Sequence, residues 1–555
     1  MVTTALPSAQ KVLLQQKRTK SAFVSWLLHI DRWLLATLAA AIIAGISAFG
    51  YYFAHNDILL YSDSYSHMLI ARRVIDNVTP GLAQFGAVWL PLPHIIMMPF
   101  IYSDYLWRTG LAGSFSSIPC FIIAAGYLYA AINRLTSDGR ASFLGSLVFI
   151  LNPNMLYLQS TPLSEPVLIA TMTAAGYYFI VWAQEDQQKY LVACAFTTLL
   201  ATMARYDGWP LFLTMWVLIG IIGLKRKHTW QRIQSNYILF TSLGGLGIAL
   251  WFVWNMVIFG DPLYFQHGPY SSQAQQASLI LAGQVTTYHN LFQSIRYFLY
   301  DVVETMGPAL FALALISMII YFVRKRFSIN MLAALPFLIA FPFYIYALYG
   351  GQDIILVPGA VSANAVHQLY NARFGVEALT PAALFLATAI KRWPLGQIAF
   401  IIILAAQTII TANGGIISLQ DGQYGLSCSP VQPVTGYLAA HYNGGYILND
   451  PYQTLFNYAG AGLDNKDVIT QGSGKLWTES LQNPAGYVSW IVTKPGDAVW
   501  NAVNVNGSAF TSQFQLMLTQ PNGVQLYYRV NSGQITSKPL PSYVQTTPNI
   551  CNAHS

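Results

Sequence analysis

Long apolar runs separated by short polar links fill the first three-quarters of the chain. Runs of membrane-spanning length recur at 33–53, 112–132, 142–159, 166–183, 190–204, 208–224, 236–259, 303–323, 329–349, 374–391 and 396–413. A further apolar stretch, 92–107, is short, opens with Pro91 and Pro93, and contains Pro99 and Asp104. After Ala412-Asn413-Gly414-Gly415 the pattern changes abruptly. From there to Ser555 the chain is polar, rich in Gly, Asn, Gln and Tyr, and holds no spanning segment. In this part GGYILN, DVIT and YVSWIVT read as short strands, with PYQTLFNYAG and GKLWTESLQ as helices between them. FQLMLTQPNGVQLYYRV reads as two strands around a Pro-Asn-Gly turn. The pattern predicts a small α/β domain with its own core, ending in a loosely ordered tail after about Gly533.

Composition agrees with membrane insertion. Of 555 residues, 54% are hydrophobic and only 9% charged, which places the chain outside the range of soluble domains. Aromatics at 14% suit many membrane–water boundaries. The charge of +7 is not read as a nucleic-acid signal, because topology explains where the basic residues fall. If 92–107 does not cross, one set of links holds Lys11, Lys17, Arg18, Lys20, Arg32, Arg134, Arg140, Lys189, Lys225, Arg226, Lys227, Arg232, Arg324, Lys325, Arg326, Lys391 and Arg392. The opposite links hold only Arg72, Arg73, Arg108, Arg205, Arg296 and Arg373. The positive-inside rule then predicts 11 spans in the plasma membrane, N-terminus cytoplasmic and C-terminus outside.

The expected fold class is therefore an α-helical polytopic membrane protein with a small C-terminal α/β extracytoplasmic domain. Its expected parts are a cytoplasmic segment 1–32, a transmembrane domain 33–413 with a first outer loop 54–111, and an outer domain 414–555. The basic N-terminus followed by an uncleaved apolar run reads as a signal anchor. Cys120 and Cys194 lie in apolar segments, whereas Cys428 and Cys551 can pair if the C-terminal part faces an oxidising compartment.

Ionisable residues beside a hydrocarbon layer are costly, so their placement marks candidate chemistry. They gather on the predicted outer side. Asp57, Asp63 and His67 lie in the first loop, and Glu165 opens the span after Thr161-Pro162-Leu163-Ser164. Arg205 and Asp207 sit in the tight ARYDGW link, Asp261 and His267 in GDPLYFQHGPYS, and Asp353, His367 and Arg373 in the loop before 374. One-sided clustering points to a cavity at the outer leaflet rather than a conduction path through the spans. Asp63 and His67 are four residues apart, on one face of any helix there, and can deprotonate a hydroxyl or share a divalent cation. The plainer reading is an N-capping aspartate beside an interfacial histidine. Arg205 and Arg373 offer forks for a phosphate. Equally, Arg205 can pair with Asp207 to close its turn, and Glu165 can simply cap a helix. Arg72 and Arg73 can meet lipid phosphates, and with Asp76 they read as residues of a surface helix. No Walker motif, GxGxxG, HExxH, CxxC or GxSxG occurs, so nucleotide-driven transport and soluble-type hydrolysis have no support.

The combination of YSDSYSHMLIARRVID, WLPLPHIIMMP, TPLSEPVLIA, ARYDGWPLF, GDPLYFQHGPYS and YNARFGVEALTPAAL resembles the GT-C superfamily of membrane glycosyltransferases. That superfamily includes dolichyl-phosphate-mannose protein mannosyltransferases and the aminoarabinose transferase of lipid A. The resemblance implies transfer of a sugar, with inversion, from a polyprenyl-phosphate carrier to a protein, lipid or polysaccharide acceptor at the outer face. It assigns the role of base to Asp63. The candidate substrate contacts beside it are His67, Trp89, His94, Glu165, Arg205, Asp207, His267, His367 and Arg373. A divalent cation, Mg or Mn, is left open as a cofactor, with Asp63 and His67 as its ligands if one is held. Ser62-Asp63-Ser64 stands where some relatives carry two adjacent acids, so a two-carboxylate mechanism does not carry over. The competing reading is a lipid-linked-sugar flippase or other transporter, for which interrupted helices at mid-membrane would speak.

Overall fold

The computed structural model of the chain describes residues 31–268, 270–360, 369–429 and 432–540. The protein is a mostly helical, multi-pass membrane protein with a mixed α/β region at its C-terminal end. Among the described residues, six helices are long and apolar enough to cross a bilayer: Arg32–Ala54, Leu111–Thr136, Glu165–Glu185, Gly208–Lys225, Pro308–Lys325 and the Pro394–Tyr424 stretch. Two bent pairs, Trp230–Gly244 with Leu246–Phe259 and Ile329–Leu338 with Ala340–Tyr349, raise the total to eight if each is one span.

The other three apolar runs form shorter helices. The run at 142–159 breaks because Asn152 precedes Pro153, which disfavours helix at position 152. Gly139–Ile150 therefore stops after 12 residues, and the Asn152 side chain caps a new turn, Pro153–Leu158. The run at 190–204 forms Gln188–Ala204, and that at 374–391 begins with a 3-10 turn, Phe374–Ala378, before Leu379–Ile390. Leu92–Ile101 has 10 residues. At 1.5 Å per residue it covers about 15 Å, roughly half a hydrocarbon core.

Glu165–Glu185 is the central helix, largely buried, whereas Arg32–Ala54 and Pro308–Lys325 leave most of their surface to the surroundings. Two close approaches position its first residue. Gly113 lies so near Pro162 that a Cβ would sit 2.3 Å from the proline Cβ, so only glycine lets this helix meet the turn ahead of Glu165. Ser114 Oγ and Ser117 Oγ then donate to the carbonyls of Ser160 and Thr161 at 2.7 and 2.8 Å, pinning that turn.

The C-terminal region forms a five-stranded sheet: β1 Tyr446–Asn449, β2 Val468–Ile469, β3 Val488–Thr493, β4 Phe514–Thr519 and β5 Gln525–Arg529, in spatial order β2-β1-β3-β5-β4. The pairs β2–β1 and β1–β3 are parallel; β3–β5 and β5–β4 are antiparallel. All five strands fall where alternation and turn residues predict them. The expected helix at 451–460 shrinks to one turn, Pro451–Thr454, whereas Lys475–Gln482 forms as predicted. Leu455, directly after Thr454, has a φ of +49°, which takes the chain out of helix.

This region is packed on the first loop. Trp490, Ile447 and Leu526 share one apolar cluster with Tyr65, Met68, Leu69 and Trp107 of that loop. Arg108 donates to Asp464 Oδ1 at 2.6 Å and to the carbonyls of Leu463 and Ala459, with its guanidinium over the Trp107 ring. Arg72 corrects the surface-helix expectation: only 9% exposed, it ties Asp76, Asp104 and the Ile101 carbonyl together above Trp107. Asp76 in turn accepts from the backbone N–H of Asn465 and Lys466, so it too belongs to the domain contact. Cys428 is disulfide-bonded, and Cys551 lies outside the described residues.

Candidate active site

Ser62–Arg73 is a helix whose first turn carries Asp63. Its start is held by a second strand of chain: Ser62 N–H donates to the Ser427 carbonyl and Ser429 N–H to the Leu60 carbonyl, at 2.9 and 2.7 Å. Tyr61, fully buried, donates its hydroxyl to the Ser418 carbonyl at 2.7 Å and lies 3.1 Å from Asp421 Oδ2. The same Asp421 oxygen accepts from Ala372 N–H at 3.0 Å, which sets the backbone immediately before Arg373. On the far side Gly375 allows close packing: a Cβ there would lie 2.4 Å from Thr305 Oγ1 and 2.7 Å from the Asp301 carbonyl oxygen.

Five of the predicted site residues meet in this place. Arg373 Nη2 donates to Asp63 Oδ2 at 2.5 Å, and Arg373 Nε donates to Glu165 Oε1 at 2.8 Å. The same Glu165 oxygen accepts from Arg205 Nη1 at 3.1 Å, and Arg205 Nε donates to Asp207 Oδ2 at 3.2 Å. The result is a chain of charges, Asp63–Arg373–Glu165–Arg205–Asp207. Glu165 is fully buried and Arg373 nearly so, while the Asp63 side chain is 33% exposed. Aromatic faces clamp the cations: Arg373 lies over Tyr61 and Phe374, and Arg205 over Phe374. Both plainer readings, Arg205 paired with Asp207 and Glu165 at a helix start, are present, and the long-range contacts come on top of them.

His67, Trp89 and His94 form a second group. His67 Nδ1 and His94 Nε2 are 2.9 Å apart, and the Trp89 ring centre lies 4.5 Å from that of His67. Burial, with Arg373 and Arg205 adding to it, pushes the His67 imidazole down to about 3. Burial, His67 and Arg73 lower His94 as well. Both rings are therefore neutral at ordinary pH and act as hydrogen-bond partners for each other. The expected Asp63–His67 pair does not form: the carboxylate turns to Arg373 and the imidazole to His94. Among the described residues no group of three or more His, Cys, Asp or Glu side chains could hold a metal ion. Asp63 and His67, the expected ligand pair, face different partners and share no cation site.

His267 is exposed beside Asp261, 3.4 Å away, and takes no part in the cluster. His367 lies outside the described residues. Four further residues were not singled out from sequence. Tyr344 donates to Glu377 Oε1 at 2.6 Å and receives Arg205 Nη2 at 3.2 Å; Tyr61 and Asp421 brace Arg373 as described. Asp421 and Glu377 carry a legible signal: each is a lone acid in a nearly uncharged stretch next to apolar runs. Tyr344 and Tyr61 carry none among so many tyrosines. Arg373 Nη1, Glu165 Oε2, Asp207 Oδ1 and Glu377 Oε2 are buried without a hydrogen-bond partner among the described residues. Buried polar atoms without such a partner also lie elsewhere in the molecule; at this cluster they leave part of its hydrogen-bonding capacity unmet.

No protein-family model and no curated protein sequence matches the chain. Solved structures do. A crystal structure of ArnT from Cupriavidus metallidurans, bound to undecaprenyl phosphate, superposes with a TM-score of 0.55 at 12% identity, over 90% of this chain and 98% of that one. The Archaeoglobus fulgidus oligosaccharyltransferase, tethered to an acceptor peptide, aligns with a TM-score of 0.44 at 12% identity, over 94% of this chain and 77% of that one. Nearly the whole chain, spans and C-terminal region together, thus follows the course of ArnT, and its fold is the GT-C fold.

Proposed function

We propose that the protein is a membrane glycosyltransferase that moves a sugar from a polyprenyl-phosphate carrier to an acceptor hydroxyl at the outer face of the membrane. The observation that carries this reading is the Asp63–Arg373–Glu165–Arg205 cluster: one buried and one part-buried guanidinium group beside one partly exposed carboxylate. The fold supports it, since ArnT holds undecaprenyl phosphate. The distribution of basic links supports an outward-facing site, with 1–32 inside and 414–555 outside.

In this reaction the bond between the sugar's anomeric carbon and the phosphate oxygen breaks, and its electron pair leaves with the lipid phosphate. The acceptor oxygen forms the new bond from the opposite side, which inverts the anomeric centre. The acceptor proton passes to the Asp63 carboxylate. Arg373 offsets the growing negative charge on the phosphate, where a fixed guanidinium fork in a site shielded from water acts strongly. Arg205 acts through Glu165, holding its carboxylate and so the angle of Arg373. His67, Trp89 and His94 form a wall of the same site, with the Trp89 face available to a sugar ring.

Two bent spans are the feature a transporter would use. Their breaks, at Gly245 and at Ile339, carry no ionisable side chain within the turn, so they offer nothing to bind a charged carrier at mid-membrane. The test is release of radiolabelled sugar from a polyprenyl-phosphate donor by purified protein in nanodiscs. Asp63→Asn is expected to lower transfer by about 100-fold or more, the range for loss of a general base. Full turnover by that variant sinks the base assignment. No turnover by wild type, together with carrier-dependent movement of lipid-linked sugar across vesicles, makes transport the better reading.

A further inference from the structure

Arg373 has two carboxylate partners of very different standing. Glu165 is fully buried, is shared with Arg205, and heads the central helix. Asp63 is one-third exposed and bonds to Nη2 alone. Tyr61 and Phe374 cover the guanidinium faces, and Nη1 is buried with no partner among the described residues. Of the cluster's bonds to this fork, the Asp63 contact is the one that faces water.

We infer that Asp63 and the carrier phosphate compete for the same guanidinium, so that donor binding itself releases the base. This rests on the reading of the site given above. With no donor, Asp63 is held by Arg373 and neutralises it. An incoming phosphate takes Nη2, reaches Nη1 beside it, and forms the bidentate pair that a guanidinium favours over a single carboxylate contact. Glu165 stays in place because it bonds through Nε, on the other edge of the group. The displaced Asp63 carboxylate is then unpaired next to the anomeric carbon, where an acceptor hydroxyl needs a base. After transfer the carrier leaves as a free phosphate and Asp63 returns. The exchange ties deprotonation to the presence of donor and leaves an acceptor arriving first with a masked base.

The exchange separates two effects of one substitution. Removing the competitor favours phosphate binding while removing the base abolishes transfer. The test is equilibrium binding of undecaprenyl monophosphate to the full chain in nanodiscs, for wild type, Asp63→Asn and Asp353→Asn. Asp353 is a part-buried carboxylate in the loop before Arg373 that accepts from Asn371 Nδ2 and the Ile354 N–H, so its variant reports the general effect of one negative charge less. Asp63→Asn is expected to tighten binding about tenfold, the effect of losing a competing contact of about 1.4 kcal/mol. Asp353→Asn is expected to change it by less than about threefold, since it frees no fork. Unchanged or weaker binding by Asp63→Asn overturns the exchange, as does an equal gain in both variants. Binding by neither wild type nor Asp63→Asn also overturns it, and sugar transfer measured separately then leaves the glycosyltransferase reading standing. Tighter binding by Asp63→Asn with no wild-type transfer upholds the competition for Arg373 but overturns the release of a base.

Discussion

Replacing Glu165 with alanine is expected to damage the fold as much as the activity. One oxygen of this fully buried carboxylate accepts from Arg373 Nε at 2.8 Å and Arg205 Nη1 at 3.1 Å. Each charge-assisted hydrogen bond contributes about 1.5–3 kcal/mol, so the gross loss is about 3–6 kcal/mol. Arg373 keeps Asp63 and Arg205 keeps Asp207, which offsets part of the loss. The remainder matches the cost of about 3–5 kcal/mol for removing one partner of a buried ion pair. That is a large share of a typical total stability of about 5–15 kcal/mol. The assay is thermal unfolding in a single detergent at pH 7.5, followed by tryptophan fluorescence. Glu165→Gln retains the shape and one acceptor oxygen and is expected to fall between wild type and alanine. Glu185→Ala serves as the comparison, because its carboxylate pairs with Arg134 where both are partly open to solvent. A Glu165→Ala midpoint no lower than that of Glu185→Ala would refute the claim that this carboxylate holds the two arginines in place.

Arg108→Ala removes the ion pair to Asp464 and two carbonyl bonds between the first loop and the C-terminal region. Limited proteolysis between the last span and β1 is expected to speed up about tenfold, the effect of one lost charge-assisted bond on a local opening equilibrium; an unchanged digestion rate contradicts the tether. The buried imidazoles predict acid sensitivity. His67 is lowered to about 3 in the fold, so below its unfolded value near 6.5 the unfolded chain binds the extra proton, and stability present above 6.5 drains away as pH falls towards 3. His67→Gln is expected to flatten the thermal-midpoint profile across that window, and an unaltered profile rules the residue out as its source. Asp353 acts with the opposite sign: burial raises it to about 6, so keeping it charged costs stability that grows as pH rises from about 4 to 6. Asp353→Asn is expected to raise the midpoint more at pH 7.5 than at pH 4.5, and an equal shift at both contradicts that account.

Local features of the fold were legible in the sequence because they depend on local physics. Apolar length specifies spanning helices, since every backbone polar group in lipid must be satisfied within its own segment. Alternation and the Pro-Asn-Gly turn specify the β4–β5 hairpin, and all five strands formed where the pattern placed them. Where the expectation failed, a local override explains it: Asn152-Pro153 breaks one run, and the positive φ of Leu455 turns the chain out of helix after Thr454. Asp63, Glu165, Arg205, Asp207 and Arg373 were legible as costly charges beside lipid, and the histidines as unusual first-loop residues.

Their partnerships were not legible. Asp63 and Arg373 are 310 residues apart, and Glu165 and Arg373 are 208 apart. Each residue read alone admitted a plainer role, as cap, turn or surface charge. Arg72 looked like a surface-helix residue until packing buried it between Asp76, Asp104 and Trp107. Tyr61, Tyr344, Glu377 and Asp421 became part of the site only because other elements fold over them. By itself the sequence determined that the chain is a multi-pass membrane protein, where strands form and which charges are expensive, because these follow from the energy of each residue in its immediate surroundings; it over-counted the spans, three of the eleven runs forming shorter helices. The tertiary structure alone decided which charge answers which, because an ion pair depends on distances of a few ångströms that only the packed helices and the Gly113 and Gly375 contacts set.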